Sequence, residues 1–461
     1  MADFSTILQT PDIRALVQEN ILERAFHDAL FPRLLFRGEA TPQLWPANVG
    51  DTMVFTGVGL IKPKMGPLVP GTDPSPSGYQ SEQWTATLQQ YADTIDTAMP
   101  TSIVAIANLF LRNAHQLGLS SGMALNRLVR DRLYNAGMSG NTVTTAITNG
   151  TTTVPVARLN GLTKARRPDL AAGSPVQFAA VSTSNPLSVT IGTQTVNITG
   201  FTPTNAGDEI GPGTITVDAA VTQASRAAVT TSDASFLQRV GGGSTIDSLT
   251  AANLITLADV RAAVARFQQQ NVPEMPDGRF HCHLSPTAQN ELFADNELQR
   301  LLTALPDYYM YKQFAIGELL GTVFFRNSEA PIAQTVAGGT TASFDVTDPL
   351  GLELFTGGVS TGVPVQHTLF VAQGAIYEYY QDLAQLITEA GVTGRVGEPR
   401  ITNNSIEVMT ERVQLIIRSP LNRLQDLVST SWKFIGDWPA RTDVTTGDSA
   451  RYKRIVVVEH A

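Results

Sequence analysis

His281, Cys282 and His283 stand in a row inside the run RFHCHL, and this triplet is the one cluster whose residue types invite a metal reading. Side chains alternate across a strand, so His281 and His283 share one face while Cys282 points to the other. Two co-facial imidazoles could begin a zinc site, but such a site needs three or four ligands. The remaining histidines, His27, His115, His367 and His460, are scattered, and Cys282 is the only cysteine. The pattern therefore predicts a buried strand with one packed thiol. Nucleophilic catalysis has no better footing: no Gly-x-Ser-x-Gly elbow occurs, and Cys282 has no recognisable general base. Gly241-Gly242-Gly243-Ser244 lacks the lysine and the preceding strand of a phosphate-binding loop. Asp295 and Glu297 read as solvated helix positions rather than an acid–base pair. The expectation is a chain that is not an enzyme, with no catalytic, cofactor-binding or metal-ligating residues and no cofactor.

Composition narrows the class further. With 461 residues the chain is long enough for two or three domains, and 43% hydrophobic residues support folded cores. Only 16% of residues are charged, well under the usual quarter, which leaves a weakly polar surface of the kind a subunit packed among neighbours tolerates. The net charge of −9 opposes a protein built to grip a phosphate backbone. Two small basic clusters (Lys164, Arg166, Arg167 and Arg127, Arg130, Arg132) read as solvated or salt-bridged faces. A single cysteine forbids an intrachain disulfide. The start of the chain lacks the pattern of a signal peptide, and no apolar run reaches the roughly 20 residues of a membrane helix. A soluble chain made in a reducing compartment is expected.

The elements follow from periodicity. Thr10 reads as a helix cap with Pro11 at the first helical position, and Ile13, Val17, Ile21 and Ala25 form an i, i+4 stripe. Residues 1–50 thus make an arm with one amphipathic helix. Residues 51–60 and 82–96 alternate as strands. Between them, IKPKMGPLVPGTDPSPSGYQ carries five prolines and three glycines, which gives a long hairpin with an extended tip over 51–97. Ile103, Ala107, Phe110, Ala114 and Leu117 repeat at helical spacing, and Gly118 and Gly122 predict a kink or break in the helix occupying 98–140. From 141 to 240 short alternating runs separated by turn signals predict a small β-barrel or sandwich, with Gly241-Gly242-Gly243 as a flexible exit. Then comes the most specific stretch. A helix-period run, LADVRAAVARFQQQNVP, leads through the Pro276-Asp277-Gly278 turn into RFHCHL. Ser285-Pro286 opens a second helix, TAQNELFADNELQRLL, and the glycine-punctuated strand GELLGTVFFRNSEAP closes the segment.

That order, from Leu257 to Pro331, resembles the axial domain of tailed-phage major capsid proteins with the fold named for phage Hong Kong 97. The resemblance extends over nearly the whole chain. It implies an α+β capsid fold with an N-terminal arm (1–50), an extended hairpin loop (51–97), a spine helix of the peripheral domain (98–140), an inserted β-domain (141–240), an axial domain (241–390) and a return of the peripheral domain (391–461). The implied function is self-assembly as hexamers and pentamers into an icosahedral shell around double-stranded DNA. The implied partners are a portal protein, scaffolding and decoration proteins, and packaged DNA bound without sequence specificity. The implied places are the virion and, during assembly, the host cytoplasm. The short stretch before Thr10 suggests a separate scaffolding protein or none. One member of the family crosslinks its shell through a lysine in the hairpin loop. Lys62 and Lys64 lie in this loop, but no acceptor asparagine or catalytic glutamate can be matched, so covalent crosslinking is not expected. The alternatives are an encapsulin-type cellular cage, a β-rich decoration or carbohydrate-binding protein, and an enzyme.

Overall fold

The computed structural model describes residues 21–30, 35–46, 50–58, 64–74, 81–98, 109–166, 178–231, 236–304, 317–335, 362–381, 400–401, 405–410, 412–418, 427–440 and 454–461. The expected helix starts at Thr10 and Pro100, the position of Lys62 and most of the stretch between Pro331 and Pro364 lie outside these residues. The architecture is α+β. Two compact units divide the chain. The first comprises Met1–Met53, Thr85–Arg130 and Ile376–Pro439; the second comprises Val54–Trp84, Asp131–Ala375 and Ala440–Ala461.

In the first unit, helix α1 (Ile21–Leu30) meets the N-terminal part of helix α2 (Leu109–Met138). Contrary to the expected break, α2 is continuous through Gly118 and Gly122. The glycine at 118 serves close packing: a Cβ there would lie 2.5 Å from the Phe26 carbonyl oxygen and 2.9 Å from Ala29 Cβ. Ala114, Leu117, Ser121, Leu125 and Val129 form the buried stripe at helical spacing. The unit's sheet is organised on the strand Leu427–Asp437, which pairs antiparallel with Gln89–Ala98 from Leu427↔Ala98 to Gly436↔Gln89. It also pairs with Val413–Arg418 and Tyr377–Tyr380. The second strand of the expected hairpin is thus two strands, Ser81–Thr87 and Gln89–Ala98, and only the former pairs with Thr52–Val58.

Among the described residues the second unit holds two larger sheets, besides the short pair Lys164–Arg166 with Phe178–Ala180 and most of the ribbon Thr52–Val58 with Ser81–Thr87. Six strands run in the order Asn141–Val143, Ala228–Thr231, Leu187–Ile191, Gln194–Pro203, Gly213–Gln223, Thr148–Val156. The Thr144↔Val156 bridge and the bond from Ala157 N–H to Val143 O (3.0 Å) join the last strand back to the first, closing a barrel. Its interior is filled by inward alternating residues, among them Val154, Ile191, Ile198, Ile215 and Val229. Gly241 and Gly242 make a defined turn with φ of +82° and +76°, closed by Gly242 N–H on Arg239 O at 3.0 Å.

The other sheet runs Leu237–Arg239, Ile455–His460, Pro364–Val371, Phe280–Leu284, Thr322–Arg326, Glu318–Leu319. The strand Ile455–His460, expected with the returning segment 391–461, lies here instead, parallel to Leu237–Arg239 and antiparallel to Pro364–Val371. Every residue of it is buried, which suits a run of isoleucine and valines and forces Glu459 and His460 to find internal partners. Helices α3 (Leu257–Gln269), α4 (Pro286–Ala294) and α5 (Asn296–Ala304) complete the unit. Val260, Val264 and Phe267 of α3 and Ala288 and Leu292 of α4 belong to the same apolar cluster as Phe280, Cys282 and Leu284.

Candidate functional site

The turn and caps that position the His-Cys-His strand are local. Thr256 N–H donates to Asp259 Oδ2 at 2.9 Å, a capping box that starts α3. Gly278, at φ +75°, closes the turn through its N–H on Met275 O. Ser285 Oγ accepts from Ala288 N–H at 3.0 Å and Pro286 fills the first turn of α4. The expected second helix is two helices, because Asp295 adopts an extended backbone between α4 and α5. This corrects the solvated reading of Asp295: its carboxylate accepts from Leu257 N–H (2.8 Å) and Glu297 N–H (3.1 Å), so one side chain caps two helices.

On the strand itself Cys282 is fully buried in the apolar cluster, and burial pushes its thiol well above the ordinary cysteine range. His281 and His283 flank Phe325 on the neighbouring strand, at 5.0 Å and 5.5 Å between ring centroids. His281 Nε2 lies 3.0 Å from Asp277 Oδ2. Burial works against the Asp277 carboxylate, but the bonds from His281 and the Arg279 N–H outweigh it and lower its pKa. Phe325 thus packs against both imidazoles, edge-on to His281 and stacked on His283. Among the described residues no group of three or more His, Cys, Asp or Glu side chains is placed to hold a metal.

The charges that the sequence left unassigned form two buried networks, one in each unit. In the first, Arg37 and Glu378 pair at 2.5 Å with side chains 2% and 1% exposed, and Arg412 Nη1 approaches the same carboxylate at 3.0 Å. Arg37 also lies over the Phe434 ring. In the second, Arg239 Nε donates to Glu459 Oε2 at 2.6 Å and His367 Nε2 stands 3.4 Å from Glu459 Oε1. Burial alone would raise the Glu459 carboxyl; Arg239 and His367 together overcome it and hold the pKa at about 2. On the opposite face of that strand His460 Nδ1 is 2.6 Å from Glu291 Oε2, and Nε2 is 3.0 Å from Thr368 Oγ1. These carboxylates are buried and held by side chains from distant parts of the chain, so they tie strands together and do not face solvent. A polar cavity of about 300 Å³ is lined by Arg132, Asn160, Thr163, Lys164, Asp208 and Glu209. Its charges are also engaged: Lys164 pairs with Glu209 at 3.4 Å, and Asp208 accepts from Ile210 and Gly211 N–H.

What remains outward is the ribbon of Thr52–Val58 and Ser81–Thr87. Phe55 stacks on Trp84 at 6.4 Å within it. Beyond it, Lys64–Pro74 are all exposed, with Met65 at 92%, Leu68 at 58% and Val69 at 66%. The tip is an ordered turn. Thr72 N–H donates to Val69 O at 3.1 Å, Pro70 precedes Gly71, and Gly71 has φ +87°, the arrangement of a type II turn. Val69 opens this turn, and Met65 and Leu68 are exposed in the stretch that leads into it.

No family model matches the chain, and no curated protein matches it. Among solved structures it is similar to the capsid of Ralstonia phage GP4 at 13% identity, covering 91% of this chain and 86% of that one with a TM-score of 0.46. It is similar to the capsid asymmetric unit of cyanophage Pam1 at 11% identity, covering 92% and 89% with a TM-score of 0.47. It is also similar to the holo-SrpI encapsulin complex of Synechococcus elongatus at 11% identity, covering 93% and 87% with a TM-score of 0.34.

Proposed function

We propose that the chain is the major capsid protein of a tailed double-stranded DNA bacteriophage, with the Hong Kong 97-type fold, whose copies assemble as hexamers and pentamers into an icosahedral shell. The observation that carries this reading is the ribbon and its tip. Two strands alone are marginally stable in water, and exposing Met65, Leu68 and Val69 at and before an ordered turn has no use in an isolated chain. A surface that covers those residues on a neighbouring copy gives them one. Each interface then needs to bury only about 1,000–2,000 Å², because arms and ribbons add further contacts between the same copies.

In this reading 1–50 is the arm, 51–97 the extended loop, 98–140 the spine helix, 141–240 an inserted domain built on the closed barrel, and 241–390 the axial domain. The peripheral domain is completed by 391–461 apart from the strand Ile455–His460. The buried ion networks stiffen each unit so that strain during assembly falls on arm and loop. A net charge of −9 keeps the wall from adhering to packaged DNA, which is held without sequence specificity. A portal protein and scaffolding or decoration proteins are the expected partners, assembly takes place in the host cytoplasm, and the product is the virion.

Electron microscopy of the purified full-length chain, alone and with candidate scaffolding proteins, tests the reading. Regular hollow particles are expected. A chain that stays monomeric under every such condition overturns it, and closed particles that exclude DNA in the presence of the packaging machinery favour an encapsulin-type cage. Deleting 64–74 is expected to abolish particles while leaving the thermal transition of the subunit in place.

A further inference from the structure

Two Asn-Gly pairs lie on the barrel and its flank, Asn149-Gly150 and Asn160-Gly161, and the fold treats them differently. The strand Thr148–Val156 pairs Thr148 with Gln223 and Thr151 with Val221, so Asn149 and Gly150 together face the single residue Thr222. This is a β-bulge, and Gly150 takes the left-handed conformation there, at φ +63°. Its N–H is consequently outside the backbone ladder and donates to Thr222 Oγ1 at 2.9 Å. Asn149 is exposed, and nothing lies within 4 Å of where a Cβ on Gly150 would stand.

We propose that Asn149 is a site of spontaneous deamidation. The reaction needs an exposed asparagine amide, a following nitrogen whose N–H can leave its hydrogen bond, and no side chain crowding that nitrogen; glycine supplies the last. The Gly150 nitrogen loses its proton to solvent and attacks Asn149 Cγ. The new N–Cγ bond closes a succinimide as the Cγ–Nδ2 bond breaks, and the amide nitrogen leaves as ammonia with a proton taken back from solvent. Water opens the ring at either carbonyl, leaving aspartate or isoaspartate at position 149 and one more negative charge on the barrel surface beside the exposed Ile147.

Asn160-Gly161 is the internal control. Asn160 is 8% exposed, its Nδ2 donates to Asn135 O at 2.7 Å, and its carbonyl accepts from Gly140 N–H at 3.0 Å. Gly161 packs against Ser139 and Gly140. Closing a succinimide there would break buried hydrogen bonds.

The test is incubation of the native full-length protein at mildly alkaline pH, followed by peptide mass spectrometry and an isoaspartate-specific methylation assay. The peptide containing Asn149 is expected to gain the mass of an amide-to-acid change and to score for isoaspartate, while the peptide containing Asn160 stays unchanged. In denaturant both peptides should convert. Thr222→Val frees the Gly150 N–H and is expected to raise the native rate at Asn149 by roughly threefold to tenfold. The proposal is overturned if native Asn149 stays intact under conditions where the denatured chain converts, or if Asn160 converts as fast. An unchanged rate in a folded Thr222→Val protein overturns the part assigned to that hydrogen bond.

Discussion

Replacing Gly118 by alanine sets two opposed effects against each other in α2. Alanine favours a helix interior over glycine by about 1 kcal/mol, so on propensity alone the substitution stabilises. The new methyl, however, would stand 2.5 Å from the Phe26 carbonyl oxygen and 2.9 Å from Ala29 Cβ, both on α1. Ordinary contact begins near 3.4 Å. The obstacle is backbone, which no rotamer change removes, so α1 must retreat by about 0.9 Å, a gap that forfeits a quarter to a half of each dispersion contact it loosens. Phe26 and Leu30 are fully buried and would carry that loss. Overpacking of this kind costs about 1–3 kcal/mol, so the net expectation is a destabilisation of about 0–2 kcal/mol once the helix gain is subtracted. Trp45, Trp432 and Trp438 all belong to the first unit, so tryptophan emission during denaturant unfolding of the full chain reports mainly on it. A midpoint that rises with Gly118→Ala, as propensity alone demands, would refute the close-packing account.

Glu459→Gln leaves Arg239 and His367 buried without their carboxylate and is expected to cost about 3–5 kcal/mol, measured by thermal or denaturant unfolding. Because the folded pKa of Glu459 is about 2 against an ordinary 4.5, its contribution, on the order of 3 kcal/mol, is complete above pH 4.5 and is lost as pH falls toward 2. Acid titration of stability should show that loss in the native sequence and not in Glu459→Gln. The buried Cys282 thiol should resist alkylation in the native protein and react once denaturant unfolds the second unit, as followed by mass spectrometry. Asp295→Ala removes the caps of α3 and α5 together and should lower stability by about 1–2 kcal/mol in denaturant unfolding, whereas a solvated Asp295 would give almost no change.

What the sequence made legible was governed by neighbours along the chain. Thr256 with Asp259, the glycine at 278 and Ser285-Pro286 each act over three or four residues, and the helix, turn, strand and second helix start where those signals place them. The alternation of histidine and cysteine likewise put Cys282 in the core. The misread elements depend on distant partners. Gly118 reads as a helix breaker unless Phe26 and Ala29 are known to press against it, and only then does the missing side chain become a packing device. Asp295 reads as solvated until Leu257, 38 residues earlier, offers an N–H. The last strand is apolar enough for either sheet, and its membership is decided by pairing with Pro364–Val371, which no local pattern encodes.

The missed networks did leave a trace in sequence. Glu378 sits among tyrosines in AIYEYYQ, and Glu459-His460 ends the run RIVVV. A carboxylate inside a run buried on both faces must be paired or pay a desolvation penalty of several kcal/mol, so its presence signals a cation somewhere in the fold. Which cation could not be read, since Arg37 lies 341 residues from Glu378 and Arg239 lies 220 from Glu459. The same pairs bear on the surface. These four charges are withdrawn from solvent and so from any surface the molecule presents. Desolvating charge is a main cost of burying a protein surface against another. Four charges kept in the interior add nothing to that cost, and the apolar side chains exposed at and before the Val69–Thr72 turn lower it for any surface that covers them.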